Sequence, residues 1–248
     1  MTSRHHLAWL RNVMLWKILV LCLLAAVAAA GLAGARAKAP RSAPAQPIFQ
    51  TTTPIEADKP VALFIGDSYT HGTGASDETH RWSSLVSAEL GWQEVNGAHG
   101  GTGYVTTASL AGCGQESCPA YLGALEANAS VNADVIVIAG GQNDFSQWRS
   151  DQEKVATAIE AVYATTRKMF PDAAIVAVGP STPGAVDATV VGMDEAVQNA
   201  AEAVNATYVS LIDPPVITPD MVLDDRAHVD DTGHVAIADR VASTISAP

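Results

Sequence analysis

Val61-Ala62-Leu63-Phe64-Ile65 is an unbroken run of five apolar residues, entered through Lys59-Pro60 and left through Gly66-Asp67. A strand with one face in solvent would carry a polar residue at every second position; this run has none, so both of its faces must be covered. That pattern belongs to parallel sheets with helices packed on each side. In open sheets of this kind ligands collect beyond the carboxyl ends of the strands, which is where Gly66-Asp67-Ser68 falls. Ser68 is therefore the candidate nucleophile, even though a serine in such a setting serves more often as a helix cap or turn residue. Its partners have to come from elsewhere in the chain.

The same punctuation recurs downstream. A polar, glycine-rich turn, Tyr69 to Gly74, follows Ser68. Arg81 to Leu90 reads as a helix stopped by Gly91, and Trp92 to Asn96 as a second strand. Helix Pro119 to Ala129, strand Asp134 to Ala139, helix Asp151 to Phe170 and strand Ala173 to Val178 come next. Helix Met193 to Asn205, strand Tyr208 to Ile212 and helix Thr232 to Ile245 complete the series, each placed by apolar period and by glycine or proline stops. Strands alternating with helices predict an α/β three-layer sandwich around a mostly parallel, five-stranded sheet, with one domain over residues 59–248.

The front of the chain has a different composition. No acidic residue occurs up to Ile55, and Arg4, Arg11 and Lys17 precede an uncharged run from Ile18 to Ala35. Residues 1–39 thus read as a secretory signal peptide or, since such a run reaches roughly 27 Å as a helix, an uncleaved membrane anchor. Cys22 belongs to its apolar body. Residues 40–58, rich in Ala, Pro, Thr and Gln, read as an extended linker. Both readings put the domain outside the membrane, with any membrane contact confined to the N-terminal segment. Six of the 14 Lys and Arg residues lie at or before Arg41, which leaves 8 basic against 26 acidic residues, 8 − 26 = −18. A domain so acidic is a poor partner for nucleic acid or an anionic membrane surface. In an exported protein Cys113 and Cys118, close together in a glycine-bearing segment, are expected to form a disulfide.

A serine hydroxyl needs a base to take its proton, and that base is commonly an imidazole oriented by a carboxylate. The C-terminal segment offers two Asp-x-x-His spacings, Asp225 with His228 and Asp231 with His234. A tight loop lets Asp225 hold His228 in the required tautomer. In the second pair Asp231 or Thr232 stands where a helix cap belongs, so His234 reads as an ordinary first-turn histidine. An ester carbonyl under attack also needs donors for its developing negative charge. Two further strand ends supply candidates: Asn96 to Gly103 holds four glycines among eight residues without the Lys of a phosphate loop, and Gly140-Gly141-Gln142-Asn143-Asp144 follows the third strand. The N–H groups of Ser68 and Gly101 and the side-chain amide of Asn143 form the expected oxyanion hole.

With these residues in view, the chain resembles the SGNH or GDSL hydrolases. Gly66-Asp67-Ser68-Tyr69 is similar to the first block of that family, with tyrosine in place of the eponymous leucine. Gly101 falls at the glycine of the second block, Gly141-Gln142-Asn143-Asp144 matches the third, and Asp225-Arg226-Ala227-His228 matches the last, with Val229 where proline is common. The resemblance implies a flavodoxin-like sheet and ester hydrolysis without metal or other cofactor. Ser68 would be nucleophile, His228 base and Asp225 its orienter, in a protein expected to act as a monomer on a small-molecule or polysaccharide ester.

Two other readings compete: an idle scaffold that binds extracellular polysaccharide, and metal-dependent hydrolysis through Asp224, Asp225, His228, Asp230 and His234. His71 and His99 read as polar loop residues, and Trp82, Trp92 and Trp148 as packing groups.

Overall fold

The computed structural model describes residues 59–247. The expected signal or anchor (1–39) and the linker (40–58) lie outside the described residues. Among the described residues no helix is long and apolar enough to cross a membrane.

The strands are β1 (Val61–Gly66), β2 (Gln93–Asn96), β3 (Val135–Ala139), β4 (Ala174–Val178) and β5 (Thr207–Val209). All are parallel, in the spatial order β2-β1-β3-β4-β5. That is the doubly wound order in which the direction of winding reverses beside the first strand, and a crevice opens there at the strand ends. The helices are α1 (Ser68–His71), α2 (Trp82–Leu90), α3 (Leu110–Cys113), α4 (Tyr121–Ala127), α5 (Phe145–Ser150), α6 (Gln152–Met169), α7 (Ala188–Ala203) and α8 (Asp231–Ile245).

Residues on either side of one peptide bond in β1 face opposite layers. Ala62 and Phe64 join Val137, Val176 and Val178 against Trp82 and Val86 of α2 and Ile237 and Val241 of α8. Leu63 and Ile65 join Ile136, Ile138 and Ile175 against Leu125, Ile159, Val162 and Val197 from α4, α6 and α7. Every residue of β1 and β3 is buried, as the continuous apolar runs require. Each large side chain so buried contributes about 1.5–3 kcal/mol. Trp82 stands edge-on to Phe64 with ring centroids 5.5 Å apart, and Trp148 is buried against Gly192, so both tryptophans are packing groups.

The elements depart from the sequence expectation at their ends. The stretch after Ser68 is a short helix, α1, where a turn was expected. The seventh helix starts at Ala188, five positions before Met193, because the Asp187 carboxylate accepts from the N–H groups of Thr189 and Val190. Strand β5 stops at Val209, since the Ser210 hydroxyl takes up the N–H groups of Ile212 and Asp213 and turns the chain out of the sheet. The cap of α8 is Asp230, one position before the expected cap, and Asp231 becomes a helical residue whose carboxylate accepts from Ser76 N–H at 2.7 Å. Cys113 and Cys118 are joined as a disulfide beside a two-way backbone pairing of Ala108 with Cys118.

His234 needs the largest correction. It is fully buried: Nδ1 accepts from Trp82 N–H at 3.3 Å, and Nε2 lies 3.4 Å from the Thr73 carbonyl. Since a backbone N–H can only donate, the proton of this imidazole belongs on Nε2, facing that carbonyl. Helix α2 has no side-chain cap of its own, so His234 satisfies one of its orphan donors from a distant helix. Burial holds its pKa below the usual histidine value, in keeping with the neutral form. His234→Leu should therefore destabilise the fold by about 1–3 kcal/mol, the cost of a buried N–H left without an acceptor, measured by urea denaturation.

Candidate active site

The crevice at the carboxyl end of the sheet is assembled from four chain segments. The first is the turn out of β1. Asp67 caps α1 by accepting from Tyr69 N–H at 3.0 Å, which places Ser68 at the first helical position. The other carboxylate oxygen of Asp67 accepts from the Tyr121 hydroxyl at 3.3 Å and Gly141 N–H at 3.4 Å. A Cβ on Gly66 would run into Thr70 and the Ala139 carbonyl, so the turn can be this tight only with glycine there. Ser68 is mostly buried but still reaches solvent, at 7% exposure.

The second segment runs from β2 along the end of β1. Gly97 N–H donates to the Phe64 carbonyl at 2.9 Å and His99 N–H to the Gly66 carbonyl at 3.1 Å, prolonging the ladder past the last strand residue. The Thr102 hydroxyl donates to the His99 carbonyl at 2.8 Å and lies 3.3 Å from the Gly66 carbonyl. Gly101, at φ 73°, is thereby carried to the strand end that leads into Ser68. Asn96, at the end of β2, donates from Nδ2 to the Thr70 carbonyl at 2.8 Å and braces α1.

The third segment follows β3. Asn143 Nδ2 donates to the Thr102 carbonyl at 2.8 Å, which fixes the amide plane with one of its two hydrogens. Asp144 is fully buried and accepts from the N–H groups of Tyr104 (2.6 Å), Val105 (3.3 Å) and Thr106 (2.9 Å) and from the Thr106 hydroxyl. It is the hub that shapes the loop after Gly101.

The fourth segment is a hairpin-like loop before α8, closed by pairing of Val222 with Val229 and by Leu223 N–H to the His228 carbonyl at 2.9 Å. Within it Asp225 Oδ2 lies 2.6 Å from His228 Nδ1, while Oδ1 accepts from the N–H groups of Ala227 and His228, both at 2.9 Å. A carboxylate at Nδ1 calls for the proton there and leaves the Nε2 lone pair free. The His228 hydrogen bond, helped by the two backbone donors, pulls the Asp225 pKa down to about 2. Tyr69, the residue after Ser68, donates its hydroxyl to the Ala227 carbonyl at 2.8 Å, and its ring centroid is 6.2 Å from that of His228. The residue after Ser68 is thus bonded to the residue before His228, 158 positions along the chain.

The five residues singled out in the sequence, Ser68, Gly101, Asn143, Asp225 and His228, stand on loops that hydrogen bonds link to one another. The carboxylates once weighed as metal ligands do not converge: Asp225 is held by His228, Asp230 caps α8, and His234 faces Trp82 and Thr73. His71 and His99 are half-buried beside the site, and desolvation lowers the pKa of each. Asp67, Tyr69, Asn96 and Asp144 were not singled out. A cap pattern was readable at Asp67; nothing in the sequence marked Asp144 as a loop hub.

A family model, the GDSL-like lipase/acylhydrolase family, matches residues 64–236. The chain belongs to this family. It is a carboxylic ester hydrolase with the SGNH fold. A GDSL lipase of Mycobacterium tuberculosis is 28% identical over 197 residues, covering 75% of this chain and 81% of the relative. Among solved structures, a family two carbohydrate esterase from Cellvibrio japonicus superposes with a TM-score of 0.57 at 16% identity, over 75% of this chain and 61% of that one. This GDSL-family chain thus spans under two thirds of that esterase. A carbohydrate esterase family 2 enzyme with a carbohydrate-binding domain from Myceliophthora fergusii gives a TM-score of 0.61 at 23% identity, over 78% of this chain and 68% of that one.

Asp67 sets a pH signature. Desolvation outweighs its hydrogen bonds and raises its pKa to about 6. The folded state therefore keeps a proton that the unfolded chain releases between about pH 4 and pH 6, so this group's contribution to stability grows as the pH falls through that window. Relative to Asp67→Asn, the wild-type protein should gain about 2 kcal/mol between pH 7 and pH 4.5, measured by denaturant titration of both proteins at each pH.

Proposed function

We propose that this protein is an exported serine esterase that works through an acyl-enzyme on Ser68. Ser68 Oγ attacks the ester carbonyl carbon as its proton passes to His228 Nε2, and the carbonyl oxygen becomes an oxyanion facing the N–H groups of Ser68 and Gly101 and the Asn143 side-chain amide. Collapse breaks the bond to the alkoxy group, which leaves with the proton from His228. Water then attacks the acyl carbon, His228 takes its proton, and the second collapse releases the acid and returns the proton to Ser68 Oγ. Asp225 holds the ring throughout and stabilises the imidazolium.

The observation that carries this reading is the 2.6 Å Asp225–His228 contact on a loop bonded to the residue beside Ser68. Export is supported by the basic head and uncharged run before Arg36. As substrate we favour a neutral ester of a carbohydrate or a short acyl chain. The acidic domain disfavours anionic esters. Leu110, 68% exposed on α3, whose Gly112 abuts Gly100 and Gly101, offers an apolar contact beside the oxyanion donors. The named functions of the similar proteins, a lipase and carbohydrate esterases, accord with that range.

Ser68→Ala should abolish turnover of p-nitrophenyl acetate and block labelling by a fluorophosphonate; wild-type activity in that variant would sink the assignment. Asn143→Ala should lower kcat by about 10²–10³. Hydrolysis rates across acetyl to palmitoyl esters and acetylated xylan will report the substrate class, with short or carbohydrate esters expected to be cleaved fastest.

A further inference from the structure

Tyr69 occupies the position of leucine in the eponymous motif, and the structure gives its hydroxyl a job no leucine could do. Its side chain is buried in the middle of α1, 4% exposed, yet its oxygen reaches across 158 positions to the Ala227 carbonyl. The Ser181 hydroxyl also faces the phenol oxygen. Burial, with Asp67 close by, raises the pKa of the phenol, so it stays protonated and a donor at any working pH.

The loop that this bond reaches has little else to hold it. Leu223 to Ala227 are exposed, and Arg226 sits at φ 57°. The hydrogen bonds of Asp225 and Arg226 are all internal to the loop. Among the described residues, Tyr69 provides the one side-chain hydrogen bond that enters residues 224–228 from another segment. It binds the carbonyl immediately before His228, and its ring flanks the imidazole at a 42° tilt. The same residue is bonded through its own N–H to Asp67, the cap that sets Ser68.

We propose that Tyr69 is a positioning residue that registers the His228 loop against Ser68, coupling base to nucleophile through a single hydroxyl. This rests on the assignment of Ser68 as nucleophile and His228 as base. Without the hydroxyl, the carbonyl of Ala227, an exposed residue, can turn to water at little loss to the fold, but the His228 loop loses its side-chain tie to the helix that carries Ser68. A misplacement of about 1 Å costs on the order of 10² in rate, so a partial loss of register should be felt in the chemical step rather than in binding.

Tyr69→Phe keeps the ring and removes only the donor. With p-nitrophenyl acetate we expect kcat to fall about tenfold or more with KM within about twofold, and fluorophosphonate labelling of Ser68 to slow in parallel. If that variant fails to fold by circular dichroism, Tyr69→Leu carries the same comparison. His228→Ala separates the two levels of the argument. Wild-type turnover in His228→Ala would overturn the base assignment itself. If His228→Ala is inactive while Tyr69→Phe keeps wild-type kcat, KM and labelling rate, the base stands and the positioning role is wrong. In the His228→Ala background Tyr69→Phe should change the residual rate by less than about twofold; an undiminished loss there would mean that Tyr69 acts through general structure and would also overturn the proposal.

Discussion

The carboxyl group of Asp67 is the joint on which the site turns. Removing a carboxylate from water is costly unless donors replace the lost hydration. Here three converge, the Tyr69 N–H, the Tyr121 hydroxyl and the Gly141 N–H, from three different parts of the chain. Because a single group accepts from all three, the turn carrying Ser68 and the loop carrying Asn143 cannot shift independently. Glycine is required on the facing loop: Gly140 lies at φ 113°, and a Cβ there would collide with the Asp67 carboxylate and the Tyr121 hydroxyl.

The same device appears again at Asp144, whose buried oxygens gather the N–H groups of three consecutive residues after Gly103. Desolvation raises its pKa as it does that of Asp67. Asp225 shows the opposite behaviour for the same residue type. It is largely in solvent, pays little for its charge, and responds mainly to its partner His228, so its pKa falls. Buried carboxylates set the backbone in this crevice, and the exposed one orients the imidazole. The side of the proposed oxyanion donors is held by several buried hydrogen bonds, while the histidine side is held by a short hairpin and the Tyr69 hydroxyl.

Much of this was legible in the chain itself where one local signal sufficed. Continuous apolar runs at Val61 and Val135 could only be strands covered on both faces, and the glycine-rich stops after them marked the strand ends where polar side chains gather. The three-residue spacing of Asp225 and His228 is short enough for a loop to close without help from the rest of the fold. Where two local signals competed, the outcome was missed. The polar stretch after Ser68 has turn composition, yet Asp67 caps it into a helix. Ser210 is compatible with a strand, yet its hydroxyl captures the next N–H groups and ends β5. His234 has the sequence setting of an ordinary first-turn residue, which it is, and only the docking of α8 on α2 turns it into an internal cap as well.

By itself, the sequence determined the layer architecture, the order of the elements and the set of groups at the strand ends, because apolar periodicity and stop residues act over a few neighbouring positions. The tertiary structure alone decided which of those groups share a bond. Asn143 and Thr102, Asp67 and Gly141, and Tyr69 and Ala227 are distant along the chain, and their bonds depend on the order in which the strands lie in the sheet and on carboxylates whose burial follows from that order. Those contacts form only when the whole core is closed, so no local pattern in the sequence announces them.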